Sequence, residues 1–385
     1  MKRLTKPTLA VSLALILIGC SKNNSEKLPA DSQAPELHAY GVLPMQPEQW
    51  SSVPEFSRDL ILANARTTGL PVKTLPTSYL LASPTVRNQG QIGSCTAFCG
   101  AETNEILNYY KTHTTSYTAL TVSTGLTKAS TTQLVNSSLF GPSLALSPLF
   151  IYYVERCVIM KQPITADGGA YMVAIPKTLQ GLSNNFGTGT PLTFTINNMS
   201  YTFSGACYEN LYPYPSTGSH SSAQYTTPPA AAAISNAVNF KIGVQSGTTG
   251  SSGTTTHGYF VINSTDPVAD AKTAIAYNKP VMMGFNVYDN SGYQYFEGLN
   301  TRTGKYTYNP LNSDGTLVSG LKLLGGHAVP IIGYIDDASQ PGGGVFIVQN
   351  SWGTGWGYKG YFYMPYSVLK SKTIVSSGSL YVAII

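Results

Sequence analysis

Charge is scarce in this chain. Aspartate, glutamate, lysine and arginine make up 11% of its 385 residues, against roughly 25% in an average globular protein. Glycine, serine, threonine, tyrosine and asparagine take their place, which leans towards an extracytoplasmic protein. The formal net charge is +5, but Lys2, Arg3 and Lys6 belong to a segment that reads as a removable leader. No basic run remains elsewhere, which argues against nucleic acid as a partner. Histidines are few, and His38, His113, His220 and His257 are scattered through polar stretches without metal-ligand spacing. There is no phosphate-binding loop and no dinucleotide motif, so neither a metal nor a cofactor is expected. Long apolar runs are also lacking. The one at residues 9–18 is too short to span a membrane comfortably. Cysteine is sparse, at five.

What is present begins with an address. Lys2, Arg3 and Lys6 followed by the apolar residues 9–18 have the layout of a secretory leader. It ends Leu17-Ile18-Gly19-Cys20, which resembles a bacterial lipobox, where the cysteine is acylated and becomes the mature N-terminus. Cys20 is therefore the expected lipidation site. The expected location is a bacterial cell envelope, lipid-anchored at the outer membrane, the periplasmic face or the cell surface. Residues 21–74 are polar with scattered proline and mildly helical near 56–66, and read as a tether or a short pro-segment. A domain spanning 75–385 follows, long enough for an ample core.

The densest signal lies at residues 86–100, Val86-Arg87-Asn88-Gln89-Gly90-Gln91-Ile92-Gly93-Ser94-Cys95-Thr96-Ala97-Phe98-Cys99-Gly100. A glycine- and asparagine-rich loop leads into a helix-like pattern of Ala97, Phe98, Ala101, Ile106, Leu107 and Tyr110. Cys95 thus stands at the positive end of a helix dipole, which favours the nucleophilic thiolate. Gln89, six residues upstream, can offer a side-chain N–H to a developing oxyanion, with the Cys95 backbone N–H as the second donor. Taken alone, this stretch fits a buried structural cysteine equally well.

Residues 86–100 resemble the active-site segment of the papain family of cysteine proteases. Gly93-Ser94-Cys95 and Ala97-Phe98 match its pattern, while Ile92 and Thr96 depart from the usual cysteine and tryptophan. His327-Ala328-Val329 with Gly333-Tyr334, and Asn350-Ser351-Trp352-Gly353, resemble the family's other two signatures, in the family's order. The resemblance implies a Cys-His-Asn site. Cys95 is the nucleophile and His327 its proton partner in a thiolate–imidazolium couple. Asn350 orients the imidazole, Gln89 supplies the oxyanion hole, and Trp352 shields the Asn350–His327 hydrogen bond. Asp167-Gly168-Gly169 resembles the segment whose backbone pairs with bound peptide, so Gly168 and Gly169 are expected to bind substrate. Tyr171, Gly284 and Ala328 match the pocket for the residue before the cleaved one. They suggest an open, uncharged wall that prefers bulky apolar side chains. Ile92 and Ala166 stand at the two positions of the family's first disulfide, lost together.

The fold implied is α+β and two-lobed, with a helical lobe carrying the nucleophile and an antiparallel β lobe carrying histidine and asparagine. Helices are expected over 95–111, from Ser147-Pro148 onwards, over 170–180 with a kink at Pro176, and over 266–278. Strands are expected over 279–287, 325–334, 345–349 and 360–364, with a β-hairpin within 181–204 and mostly surface loop over 215–257. His327 lies roughly 100 residues farther from Cys95 than the family's usual spacing of about 130 to 150. Polar insertions at 112–145, 181–204, 215–257 and 299–320 account for the excess, and loops tolerate such lengthening. Pairing of Cys157 with Cys207 stays open, and Cys99 reads as a small core residue.

The function expected is an endopeptidase cutting protein or peptide substrates. An exopeptidase or acyl-transferase using the same residues stays open, as does a non-catalytic surface adhesin on the same fold. The intact set of Cys95, Gln89, His327 and Asn350 argues against the last. Oligomeric state is open.

Overall fold

A computed structural model describes residues 38–59, 61–62, 74–112, 144–183, 190–216, 225–243, 258–299 and 306–385. The leader, Cys20 and most of the insertion at 112–145 lie outside the described residues. What is described falls within one compact unit, Pro35–Ile385.

The N-terminal stretch is extended until a short helix, α1 (Pro47–Trp50), and a short strand, β1 (Ser78–Leu80), precedes the first long element. That element is α2 (Cys95–Thr112), which begins at the cysteine itself. It is buried on nearly every side: Ala97, Phe98, Ala101 and Ile106, but also Glu102 and Glu105, have almost no exposure. A helix buried all round is a core element between two layers. Glu105 is tolerated there because Arg87 pairs with it at 3.0 Å and the Leu146 amide donates to the same carboxylate at 2.7 Å. Helix α3 (Pro148–Tyr153) starts as its sequence dictates, with the Ser147 hydroxyl capping the Phe150 amide and proline in the first turn, and runs on as a π-helix, Val154–Ile159.

Helix α4 (Ala174–Gln180) is shorter than the expected 170–180. Pro176 falls in its first turn, where an amide has no intrahelical acceptor, so proline costs no hydrogen bond and no kink is needed. The expected hairpin is β2 (Leu192–Ile196) with β3 (Met199–Phe203), closed by Asn197 and Asn198 at φ of 50° and 64°. Two consecutive left-handed residues are what a tight hairpin turn requires, and asparagine supplies them readily. Within 225–243 the expected loop contains a helix, α5 (Ala231–Ala237). Alanine's high helix propensity behind a Pro-Pro pair explains it.

The second half builds one sheet. After β4 (Tyr259–Val261) comes α6 (Pro267–Ala276), then β5 (Val281–Asp289), β6 (Lys322–Asp336), β7 (Gly344–Gln349), β8 (Tyr361–Pro365), the short helix α7 (Tyr366–Lys370) and β9 (Leu380–Ala383). The strand order is β4-β9-β5-β6-β7-β8, with β1 also on β6, and every pairing is antiparallel. Its apolar residues form one large core with α6 and α7, while the helical elements form smaller ones. A third cluster, which includes Cys95, Met172 and Ala328, joins the two layers.

Candidate active site

Register fixes the histidine. In β6, His327 lies opposite Phe285 and Ala328 opposite Gly284 of β5. On the other edge Ile331 pairs with Val348 of β7, so the residues that follow β7 pass alongside His327. His327 Nε2 lies 2.7 Å from Asn350 Oδ1. Trp352 stands over the pair, its ring 5.0 Å from the imidazole, with only 3% of the residue exposed. His327 Nδ1 has no hydrogen-bond partner.

The nucleophile candidate approaches from the helical side. The backbone N–H groups of Ala328, Gly41 and Thr96 face the Cys95 sulfur, so β6 and the head of α2 meet there. Gln89 is held on both sides: its Oε1 accepts from Ser351 Oγ at 2.6 Å, and its backbone N–H donates to Ser351 O at 2.8 Å. Tyr214 donates to Gln89 O at 2.8 Å and lies 2.7 Å from Ser94 Oγ. Asp167 accepts the Gly93 amide at 2.9 Å and bonds the Tyr152 hydroxyl. None of Ser351, Asp167 and Tyr214 stood out in the sequence as a holder of the loop.

A peptide already occupies this cleft, and it is the chain's own. The Gln89 amide donates to Ala39 O at 3.0 Å. Gly41 packs so tightly on Gly93 that a Cβ on it would lie 1.8 Å from Gly93 O. Val42 N donates to Gly326 O and Leu43 N to Ala170 O, while Ala170 N donates to Gly41 O, at 3.0, 3.0 and 2.7 Å. This segment pairs at Ala170, one residue beyond the Gly168 and Gly169 expected to pair with substrate. Gly169, at φ +69°, serves close approach instead, since a Cβ there would meet Gly41 O at 2.3 Å. At the other end His38 stacks on Trp352 at 3.9 Å and 6°, and its Nδ1 lies 2.9 Å from Glu297 Oε2. Tyr40 donates to Glu297 Oε1 at 2.5 Å. Farther on, Pro54 and Phe56 bond Val261 of the edge strand β4. His38, one of the scattered histidines, and Glu297 carried no signal of this role in the sequence.

Burial sets the protonation of the site. It pushes the Cys95 thiol up to about 12, against the pull of the three facing amides. It draws the His327 imidazole down to about 4, with Asn350 opposing and His38 adding to the fall. With 38–43 in place, water is excluded and both groups favour their neutral forms. The thiolate–imidazolium couple read from the helix dipole is therefore disfavoured in this covered arrangement.

The expected specificity wall is partly filled. A Cβ on Gly284 would meet Met172 Cγ at 2.5 Å, so Met172 occupies what reads from the sequence as open space. Ala328 is buried and Tyr171 half-buried beside it. Cys157, Cys207 and Cys99 are buried and unpaired. Among the described residues no group of three or more His, Cys, Asp or Glu side chains could hold a metal ion, and no helix is long and apolar enough to cross a membrane.

A helix-borne cysteine meeting a strand that carries histidine, in an α+β frame, defines a papain-like, two-lobed fold. The solved structure of xylellain, a cysteine protease from Xylella fastidiosa, shares it with a TM-score of 0.57 over 92% of this chain and 98% of that one, at 22% identity. The sequence model of the papain family cysteine protease matches residues 184–381, just over half of the chain. The chain belongs to the papain family of cysteine proteases. An uncharacterized peptidase C1-like protein of Acanthamoeba polyphaga mimivirus is 30% identical over 111 residues, 29% of this chain and 30% of that protein. Cathepsin B-like cysteine proteinase 5 of Caenorhabditis elegans is 35% identical over 95 residues, 25% of this chain and 22% of that protein. The chain thus aligns with less than a third of either relative's length.

Proposed function

We propose that the protein is a cysteine endopeptidase made in a closed form, with residues 38–56 as a pro-segment. The observation that carries this reading is the Ala39 carbonyl, held by the Gln89 amide beside the buried His327–Asn350 pair and the head of α2. Peptide backbone lies on both sides of that point, from His38 at Trp352 to Leu43 at Ala170. A cleft that takes a chain past both sides of the nucleophile suits internal cleavage rather than trimming of ends.

In the open form, water returns to the site and the Cys95–His327 ion pair becomes accessible. The thiolate attacks the substrate carbonyl carbon, and the carbonyl π electrons move onto oxygen, facing the Gln89 amide and the Cys95 backbone N–H. Collapse breaks the C–N bond, His327 gives its proton to the departing amine, and a thioester remains. Water, deprotonated by His327, then attacks the thioester carbon, the C–S bond breaks, and the acid leaves with the Cys95–His327 ion pair restored. The leaving amine departs on the His327 and Trp352 side, so the substrate's acyl side lies along Ala170. A substrate chain therefore runs opposite to 38–43, whose N-terminal end sits at Trp352. That reversal keeps the segment's own bonds out of line for attack. Tyr171, Met172 and Ala328 favour an apolar residue before the cleaved one. Lipidation at Cys20 would hold the enzyme at an envelope membrane.

The test is treatment of the leaderless protein and a Cys95→Ala control with an epoxysuccinyl thiol-protease inhibitor, read by intact mass. A single adduct, absent from the control and lost on His327→Ala, is the expected outcome once the segment has been displaced. No adduct after displacement would overturn the reading in favour of a binding protein.

A further inference from the structure

On the leaving-group side of the cleft stands a carboxylate with no place in the chemistry above. Glu297 is buried, and both its oxygens are taken by the segment that fills the cleft: Oε2 by His38 and Oε1 by Tyr40. It is also rigidly placed. Asp289, at the end of β5, accepts the backbone amides of Asn290 and Tyr295 on one oxygen, and of Phe296 and Glu297 on the other, at 2.7–3.0 Å. Trp356 Nε1 donates to the carbonyls of Phe296 and Glu297 at 3.2 and 3.0 Å. The loop that carries Glu297 is therefore cinched from both sides. Trp352 presents an indole face beside it, and His38 lies flat on that face at 3.9 Å while meeting the carboxylate with its edge.

An aromatic plane bordered by a carboxylate is a receptacle for a flat cation. The stacked face supplies cation–π attraction, and the carboxylate supplies a charge-assisted hydrogen bond in the plane of the ring. Arginine meets both demands better than lysine, because its guanidinium is planar and can donate two parallel N–H bonds to one carboxylate. Resting on the endopeptidase reading, we propose that Glu297 and Trp352 form a subsite selecting arginine as the first residue beyond the cleaved bond. His38 fills that subsite while the precursor is closed, and the substrate's guanidinium takes it over once 38–43 has left. Lysine ranks next, neutral side chains lower, and acidic ones lowest.

Two arms test this with the full-length chain. The first needs no turnover and reads the rate at which the epoxysuccinyl inhibitor labels Cys95. His38→Glu places like charges together and should speed labelling by about tenfold or more, a difference of about 1.4 kcal/mol in segment docking. His38→Arg should stay as slow as wild type, and adding Glu297→Arg to His38→Glu should restore slow labelling. The second arm uses the Gly41→Ala chain, in which the segment cannot seat, and peptides differing only in the first residue beyond the cleaved bond. Arginine should exceed glutamate in kcat/KM by about tenfold or more. Glu297→Gln, which keeps the side chain's shape, should shrink that ratio to within about twofold. Equal labelling of His38→Arg and His38→Glu, or an arginine preference that survives Glu297→Gln, would overturn the inference alone. A chain that never labels at Cys95 in any variant would overturn the endopeptidase reading and this inference with it.

Discussion

Gln89 has its amide held in two directions, and that makes it the most informative single residue in the cleft. Its carbonyl is fixed by Ser351 Oγ, which leaves the Nε2 hydrogens aimed at Ala39 O and at Ile92 O, each at 3.0 Å. Removing one donor from an oxyanion hole costs about 10²–10³ in turnover. Gln89→Ala should lose that much in kcat. Ser351→Ala, which frees the amide to rotate, should lose less, about tenfold. In the opened Gly41→Ala chain, alkylation of Cys95 by an epoxide passes through no tetrahedral carbonyl adduct, so both variants should label at nearly the rate of that chain with Gln89 and Ser351 intact while hydrolysis falls. Equal losses in both assays would instead indicate a damaged site. Cys95 and His327 offer a second test at this scale. A thiol is neutral below its pKa, and burial pushes that of Cys95 up to about 12 in the covered form. Alkylation of the closed chain by iodoacetamide should therefore keep rising with pH through the alkaline range. Opening the cleft should convert the profile to one with a plateau near neutrality, where the ion pair persists. A neutral plateau in the closed chain would contradict the neutral pair. In the sequence, Cys95, His327 and Asn350 were legible because each sits in a local motif with its own turn chemistry. Glu297 was not, because its role depends on Asp289 gathering four amides of its loop and on a histidine some 260 residues away in sequence.

At the scale of elements, the head of α2 is fastened where the family resemblance leads one to look for a disulfide. Ile92 and Ala166 hold those positions here, and their neighbours do the fastening: Asp167 accepts the Gly93 amide and ties it to Tyr152. Periodicity showed α2, α6 and the long strands, since a buried face leaves a clear repeat. It did not show β1, β9 or the π-helix Val154–Ile159, which are short or irregular and are specified by what they pack against. The π-helix brings Glu155 under α2, where Thr96 donates to its carboxylate at 2.7 Å. Burial raises the Glu155 carboxyl from 4.5 to about 8. Glu102 and Glu105 rise in the same sense, to about 8 and about 7, through burial partly offset by Arg87. A carboxyl with a raised folded-state pKa binds more protons folded than unfolded between those two values. Its stabilising contribution is complete below about 4.5 and is lost as pH rises through about 8. The thermal midpoint should therefore fall between pH 5 and pH 8. Glu155→Gln should raise the midpoint at pH 8 by about 2–4 °C or more and leave it nearly unchanged at pH 5. Calorimetry at the two pH values decides it, and equal shifts at both would show that Glu155 is not the titrating group.

For the whole molecule, the decisive fact is that 38–56 forms a strap across parts that the sequence presents as separate. It runs from Trp352 past Gln89 and Ala170 and ends on β4, so it touches both layers and the edge of the sheet. The alternation and motifs of the β lobe could be read without it. The strap itself could not, because an extended peptide that borrows its hydrogen bonds from Gly326 and Ala170 has no periodicity of its own. Its tightest fit is at Gly41, which is buried against Gly93 with no room for a side chain. The obstruction is backbone, not a flexible side-chain end, so a methyl group there cannot be absorbed by a rotamer change. Gly41→Ala should expel the segment while leaving the core of the sheet intact, because the residues Gly41 touches lie on the cleft surface. Cys95 labelling should then rise by at least about tenfold, corresponding to 1.4 kcal/mol or more of lost docking. The pH profile of labelling should gain its neutral plateau at the same time. A second change, Phe56→Ala, removes an anchor at the sheet edge far from Cys95, and should accelerate labelling less than Gly41→Ala because the contacts at Gln89, Ala170 and Glu297 remain. If Gly41→Ala labels as slowly as wild type while thermal melting shows an intact fold, the strap is not what covers the cysteine. If Phe56→Ala opens the site as fully as Gly41→Ala, the segment is held by its far end, and the fit at Gly93 is incidental.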